Sequence, residues 1–196
     1  MKSSIFLVLS LFFTHLAISQ DAPVKIEAIK FETLRDDWVQ MEIQIRANKN
    51  TDLNAKNNRF VDNIKVMSYI AYKRDADAKT FDFYKSEVEI ISIEQGKKQN
   101  VYFFMPGVII NRDRLPKKPP YYFVALEVDG KVLPLNSNAY SQATLNSDTL
   151  RSMKIKADAE SGPNDYILKP YYNAPVDLIE ARLENLAPLI IREPKE

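Results

Sequence analysis

The 196 residues hold 27 lysines and arginines against 26 acids, four glycines, no cysteine and one histidine, His15. Near-neutrality removes the long-range field that steers a basic chain onto nucleic acid or an anionic membrane. Lack of cysteine removes disulfides, thiolate nucleophiles and soft metal ligands.

The chain opens MKSSIFLVLSLFFTHLAISQD. Lys2 supplies a positive start, Ile5 to Phe13 form an apolar run too short to span a bilayer, and Ala17-Ile18-Ser19 present small residues at signal-peptidase spacing. Residues 1–19 therefore read as a signal peptide cleaved after Ser19, which places the product, starting at Gln20, in the periplasm or on the cell surface. No cysteine follows the run to take a lipid. The leader removes His15, and with Lys2 gone the bases equal the acids. The product then has no usual general base of a serine hydrolase and no preferred ligand for zinc, copper or iron. Carboxylates, hydroxyls, lysine and arginine are left, and no cofactor or metal is expected. No later segment is long and apolar enough to cross a membrane.

From Val24 to Leu135 the apolar residues recur mostly with a period of two. In WVQMEIQIRAN, Val39, Met41, Ile43, Ile45 and Ala47 share one face while Gln40, Glu42, Gln44 and Arg46 share the other, the pattern of a strand with one buried side. Residues 24–34, 62–73, 86–94, 100–105, 121–128 and 131–135 give six more strands. The asparagine-rich stretch 48–60 is a polar loop, since asparagine tolerates positive φ and bonds locally. Asp129-Gly130 between two strand-like runs predicts a type I′ hairpin. Seven short strands with turn signals between them predict a mostly β, antiparallel sandwich over residues 20–140. Four scattered glycines form no phosphate-cradling loop.

Residues 141–196 change character and read as a helical and extended appendage. Leu150, Met153 and Ala157 at i, i+3, i+7 predict an amphipathic helix over 147–160. The proline- and tyrosine-rich run after Gly162 predicts an extended crossing, and Ile179, Leu183 and Leu186 a final helix before Pro188. The apolar load of this tail must cover something. The expectation is partial docking on its own sandwich, with Tyr171, Tyr172 and residues 176–186 reaching outward.

Several constellations invite chemistry. Asp75, Asp77 and Asp82 are close in sequence, but from Asp75 an EF-hand count puts Lys79, Thr80 and Ser86 at positions five, six and twelve, so no calcium loop forms. Glu87 with Glu89, or Asp36 with Asp37, supply carboxylate pairs for glycoside hydrolysis, with nothing to set one pKa above the other. RDRLPKKPPYY gathers Arg112, Arg114, Lys117 and Lys118 on a proline-stiffened loop before Tyr121 and Tyr122. The plainer reading there is an ordinary connection; the functional one is a patch gripping an acidic protein or a sugar. Arg112, Arg114, Lys117, Lys118, Tyr121, Tyr171 and Tyr172 are the candidate partner-binding residues. Trp38 reads as a core residue at a strand entry.

The run PPYYFVALEVDGKVLP, with Tyr122 two residues before the inward Val124, resembles the tyrosine-corner strand and final hairpin of an immunoglobulin-like sandwich. Without a Cys…Trp…Cys framework the likeness is to the broad class. The leader, the seven-strand core and the tail NDYILKPYYNAPVDLI together resemble the small secreted immunoglobulin-like proteins encoded beside type IV pilus and secretin genes in some Gram-negative bacteria. That resemblance implies an accessory protein of an envelope or pilus assembly and carries no catalytic residues. The expected function is a non-catalytic protein-binding or structural module with a protein partner in the envelope and no nucleic acid. The alternative is a carbohydrate-binding module using exposed tyrosines, and a carboxylate hydrolase stands third. A sugar binder would show several coplanar rings on one face; a protein binder, an uncovered strand edge or an apolar patch with a polar rim.

Overall fold

The computed structural model describes residues 22–52, 55–74, 80–144, 147–159, 164, 166–178, 187–188 and 190–191. The strands are β1 (Val24–Thr33), β2 (Val39–Ala47), β3 (Phe60–Lys73), β4 (Phe81–Glu94), β5 (Lys98–Met105), β6 (Tyr121–Val128), β7 (Lys131–Val132), β8 (Lys169–Pro170) and β9 (Ile190–Ile191). Two antiparallel sheets, ordered β1-β2-β5-β8 and β7-β6-β3-β4-β9, pack as a sandwich. β4 lies beside β3, whereas an immunoglobulin constant-type sandwich pairs its fourth strand with the fifth.

The alternation in β2 sets the core. Val39, Met41, Ile43, Ile45 and Ala47 are buried, and across the gap lie Ile64, Val66, Ile70 and Tyr72 of β3 with Val124, Leu126 and Val128 of β6. Ser68 Oγ donates to Met41 Sδ at 3.2 Å, and Phe31 meets Tyr122 with ring centroids 4.9 Å apart, so both sheets contribute to one interior. The outer face of β2 carries ion pairs instead, including Lys30 with Glu42 and Arg46 with Glu27. Lys98 and then Arg46 hold the Glu27 carboxyl down at about 2.

β3 departs from half-burial: residues 68–72 are all buried. The reason is helix α2 (Ser147–Ala159), on the far side of the second sheet. Met153 and Ala157 pack there with Tyr69, Ala71, Phe83, Phe123 and Ala125, and the rings of Tyr69 and Phe123 stack at 4.4 Å. The helix follows the predicted span because Leu150, Met153 and Ala157 do form its inner stripe. It also lets β4 start at Phe81, ahead of the expected Ser86: the far face of FDFYK has something to lie against.

Edges are closed by local chemistry. Segment 133–141 runs along β6, with Leu133 N donating to Leu126 O at 2.8 Å, Val124 N to Ala139 O at 2.7 Å and Ser141 N to Tyr122 O at 3.0 Å. The amides of Asn136 and Asn138 donate to Ile26 O and Glu27 O beside the β1 bulge. Such capping blunts an edge against pairing with another chain. β7 itself is only the two residues Lys131 and Val132. Asp129 and Gly130 take φ of 49° and 76°, as a type I′ turn requires.

The tail belongs to the sandwich, adding β8 to one sheet and β9 to the other. Leu168, Ala174, Leu178 and Ile190 are buried. Tyr171, expected to reach outward, is turned in and only 8% exposed, because β8 pins the chain to β5 one residue earlier. Residues 176–178 form a short 3-10 turn, and the rest of the expected final helix lies outside the described residues.

Candidate binding groove

Three segments distant in sequence meet at the end of the sandwich where β1 turns into β2. The first is the turn 35–37, closed by Leu34 N donating to Trp38 O at 2.8 Å, with Asp36 and Asp37 at φ of 54° and 58°. The second follows β5, whose pairing stops at Pro106. Extended Pro106 opens helix α1 (Gly107–Arg112), and its carbonyl accepts from Ile109 N and Ile110 N. Gly107 is required: a Cβ there would collide with the Asp36 carbonyl, so turn and helix pack backbone to backbone. Asp37 locks the contact, accepting from Asn111 Nδ2 at 3.0 Å and Lys117 Nζ at 2.7 Å. The hydrogen bonds from Lys117 and then Asn111 hold its carboxyl below the usual aspartate range.

The third segment is the tail on either side of β8. Asp177, two residues past Pro175, pairs with Arg35 and so ties the tail to the turn. Tyr166 sits at φ 64°, an uncommon backbone for an aromatic residue. Between the three segments runs an open groove of about 550 Å³. Trp38, Pro106, Val108 and Ile109 line it from the first two segments, and Tyr166, Ile167, Ala174 and Pro175 from the tail. Lys169 and Asn173 complete the lining. Val108 is 71% and Tyr166 87% exposed, the two most exposed large hydrophobic side chains among the described residues. The groove is a water-exposed apolar cleft with one cation, a surface that gains free energy when covered.

The structure does not bring the seven candidate residues together. Arg112 grips the adjacent Asp113 carboxylate at 2.6 and 2.7 Å, which raises its own pKa and lowers that of Asp113. Lys117 is engaged by Asp37, while Arg114 and Lys118 are exposed. Tyr121 is half-buried and edge-on to Phe81 at 5.3 Å, within the cluster under α2. Tyr171 and Tyr172 stand edge-on to each other at 5.7 Å, the second half-buried against the core. These rings form no common plane.

Sequence reasoning did not single out Val108, Ile109 or Lys169; Trp38, read as a core residue at a strand entry, does pack against the core there and also lines the groove. A signal for the first two was present: Val108-Ile109-Ile110 is a run of three apolar residues behind Pro-Gly, and one side of a short helix buries only one of them, here Ile110. Of the remaining constellations, Asp82 is held by Arg74 at 2.8 Å, and Asp75 and Asp77 lie outside the described residues. Glu87 pairs with Lys65 on the outer face of the sheet. No group of three residues able to hold a metal, and no helix long and apolar enough to cross a membrane, occurs among the described residues.

No protein-family model matches the chain, and no curated protein matches it. Among solved structures it is similar to the crystal structure of a protein from Akkermansia muciniphila, with a TM-score of 0.60 and 16% identity, covering 87% of this chain and 93% of that one. At that identity the likeness is one of fold, and it places this β-sandwich beside one from a bacterium.

Proposed function

We propose that this chain is an exported, non-catalytic protein-binding module of the bacterial cell envelope, an accessory to a pilus or secretion-type assembly. The observation that carries the reading is the groove, an apolar cleft whose lining includes the two most exposed large hydrophobic side chains described. The tail that resembles the secreted pilus-associated proteins supplies part of that lining. The leader supports export.

The polarity of the lining favours a peptide over a sugar. A sugar site places several polar groups beside flat aromatic faces; this groove has the rings of Trp38 and Tyr166, but only Lys169 and Asn173 supply polar side chains among its prolines and branched aliphatics. Asp37 as the general acid of a carboxylate pair is disfavoured for a different reason. Asp37 is held below the usual aspartate range, the reverse of what a general acid needs.

Photocrosslinking in intact cells of the native host tests this. A benzoylphenylalanine at Val108 is expected to give a discrete protein adduct, and one at Lys30, on the polar face of the first sheet, none. Equal labelling from both positions, or no adduct from Val108, refutes the reading.

A further inference from the structure

We propose that the groove holds an apolar peptide segment of the partner and that Lys169 seats the carboxylate of an aspartate or glutamate within it. The inference rests on the protein-binding reading and adds the chemistry of what is bound.

The charges around the groove select this occupant. Asp37 is engaged by Lys117 and Asn111, and Asp177 by Arg35, so neither of these carboxylates is paired with Lys169. Lys169 is the one charged residue of the lining and makes no ion pair among the described residues. Its backbone is fixed opposite Phe104 in the β5–β8 pairing, so the ammonium springs from a sheet edge and not from a loose loop. A single ammonium is a point charge, matched by one carboxylate. Covering Val108, Tyr166 and Ile167 with apolar side chains would exclude water from around Lys169 and strengthen that pairing beyond its value on an open surface. A wholly apolar segment would leave the ammonium under cover without a partner, which is unfavourable.

A random-peptide phage library, displayed with peptide C-termini fused so that every carboxylate is a side chain, tests the proposal. It is panned on the mature wild-type chain, on Lys169→Glu and on Val108→Asp, after thermal melts establish that both variants fold. Wild type is expected to select aliphatic and aromatic sequences carrying Asp or Glu. Lys169→Glu should select apolar sequences carrying Lys or Arg, and Val108→Asp should select none. A fluorescein-labelled synthetic copy of the best wild-type peptide should bind Lys169→Gln about tenfold more weakly, the size of one charge-assisted hydrogen bond. Apolar peptides without acids, or an acidic preference unchanged on Lys169→Glu, overturn the carboxylate assignment and leave the protein-binding groove standing. Enrichment no better than on a blank surface, or untouched by Val108→Asp, overturns both.

Discussion

Lys117 donates to the Asp37 carboxylate at 2.7 Å across 80 positions of sequence. One of the cations offered as a candidate partner contact is thus spent holding the turn that carries Trp38 to the groove. Lys117→Ala should leave the fold intact and loosen this junction. Hydrogen–deuterium exchange of residues 34–38 and 112–118 is expected to rise several-fold while that of β2 and β3 stays as it was. Unchanged exchange in the turn would show that backbone packing alone holds it.

Gly107→Ala carries a sign that distinguishes close packing from propensity. In an open helix the change stabilises by about 0.5–1 kcal/mol. Here the new methyl meets the Asp36 carbonyl, and overpacking of that kind costs about 1–3 kcal/mol. Urea unfolding is expected to show a net loss, with weaker peptide binding at the groove; a gain in stability would refute the backbone contact.

Tyr72 buries its hydroxyl without a hydrogen-bond partner among the described residues, its ring edge-on to Tyr84 at 6.0 Å. Burial raises the pKa of both phenols, that of Tyr84 to about 12. Tyr72→Phe removes an unsatisfied polar atom and is expected to be neutral or to stabilise by about 1 kcal/mol. Tyr102→Phe, which deprives Asn100 Nδ2 of its acceptor at 3.1 Å, should destabilise by about 1 kcal/mol. Denaturant midpoints of the two variants should move in opposite directions or differ clearly.

Glu27 should produce an acid-sensitive component of stability. Its folded pKa is depressed from 4.5 to about 2, chiefly by Lys98 and Arg46. A depressed carboxylate contributes stability that is present above the unfolded pKa and is lost as pH falls through the folded value. Wild type should therefore exceed Glu27→Gln at neutral pH, with the gap closing between pH 4.5 and about 2. A gap independent of pH would mean that the pair contributes by packing and not by charge.

Deleting residues 162–196 removes β8, β9 and the buried Leu168, Tyr171, Leu178 and Ile190. Each such side chain contributes about 1.5–3 kcal/mol when buried, so the loss approaches the whole stability of a small domain. The truncated chain is expected to show little cooperative unfolding in a thermal scan. A truncation melting within a few degrees of wild type would mean that the tail rests on the sandwich without supporting it.

Much of this architecture was legible because it is written in short-range patterns. Val39–Ala47 declares a half-buried strand by alternation, and the strand has those ends. Asp129-Gly130 declares its turn by the φ values only such residues accept, and Leu150, Met153 and Ala157 declare a helix face. Each is decided by neighbours within a turn or a strand's length, where sterics and burial act on adjacent residues.

What needed tertiary structure is whatever depends on a second surface. Nothing within β3 says that Tyr69 and Ala71 lie under a helix some 80 residues on, so burial of that strand on both sides cannot be read from its own residues. Tyr171 and Tyr166 are the same residue type five positions apart, yet one is 8% exposed and the other 87%, because β8 pins one inward and the backbone turn at φ 64° projects the other. The groove draws Trp38, Val108, Ile167 and Lys169 from three distant stretches, and their meeting is fixed by the β5–β8 pairing and by Gly107 against Asp36. Sequence by itself determined which residues are apolar and how they alternate. Which of them stay in water was decided by what the folded chain had left to cover them.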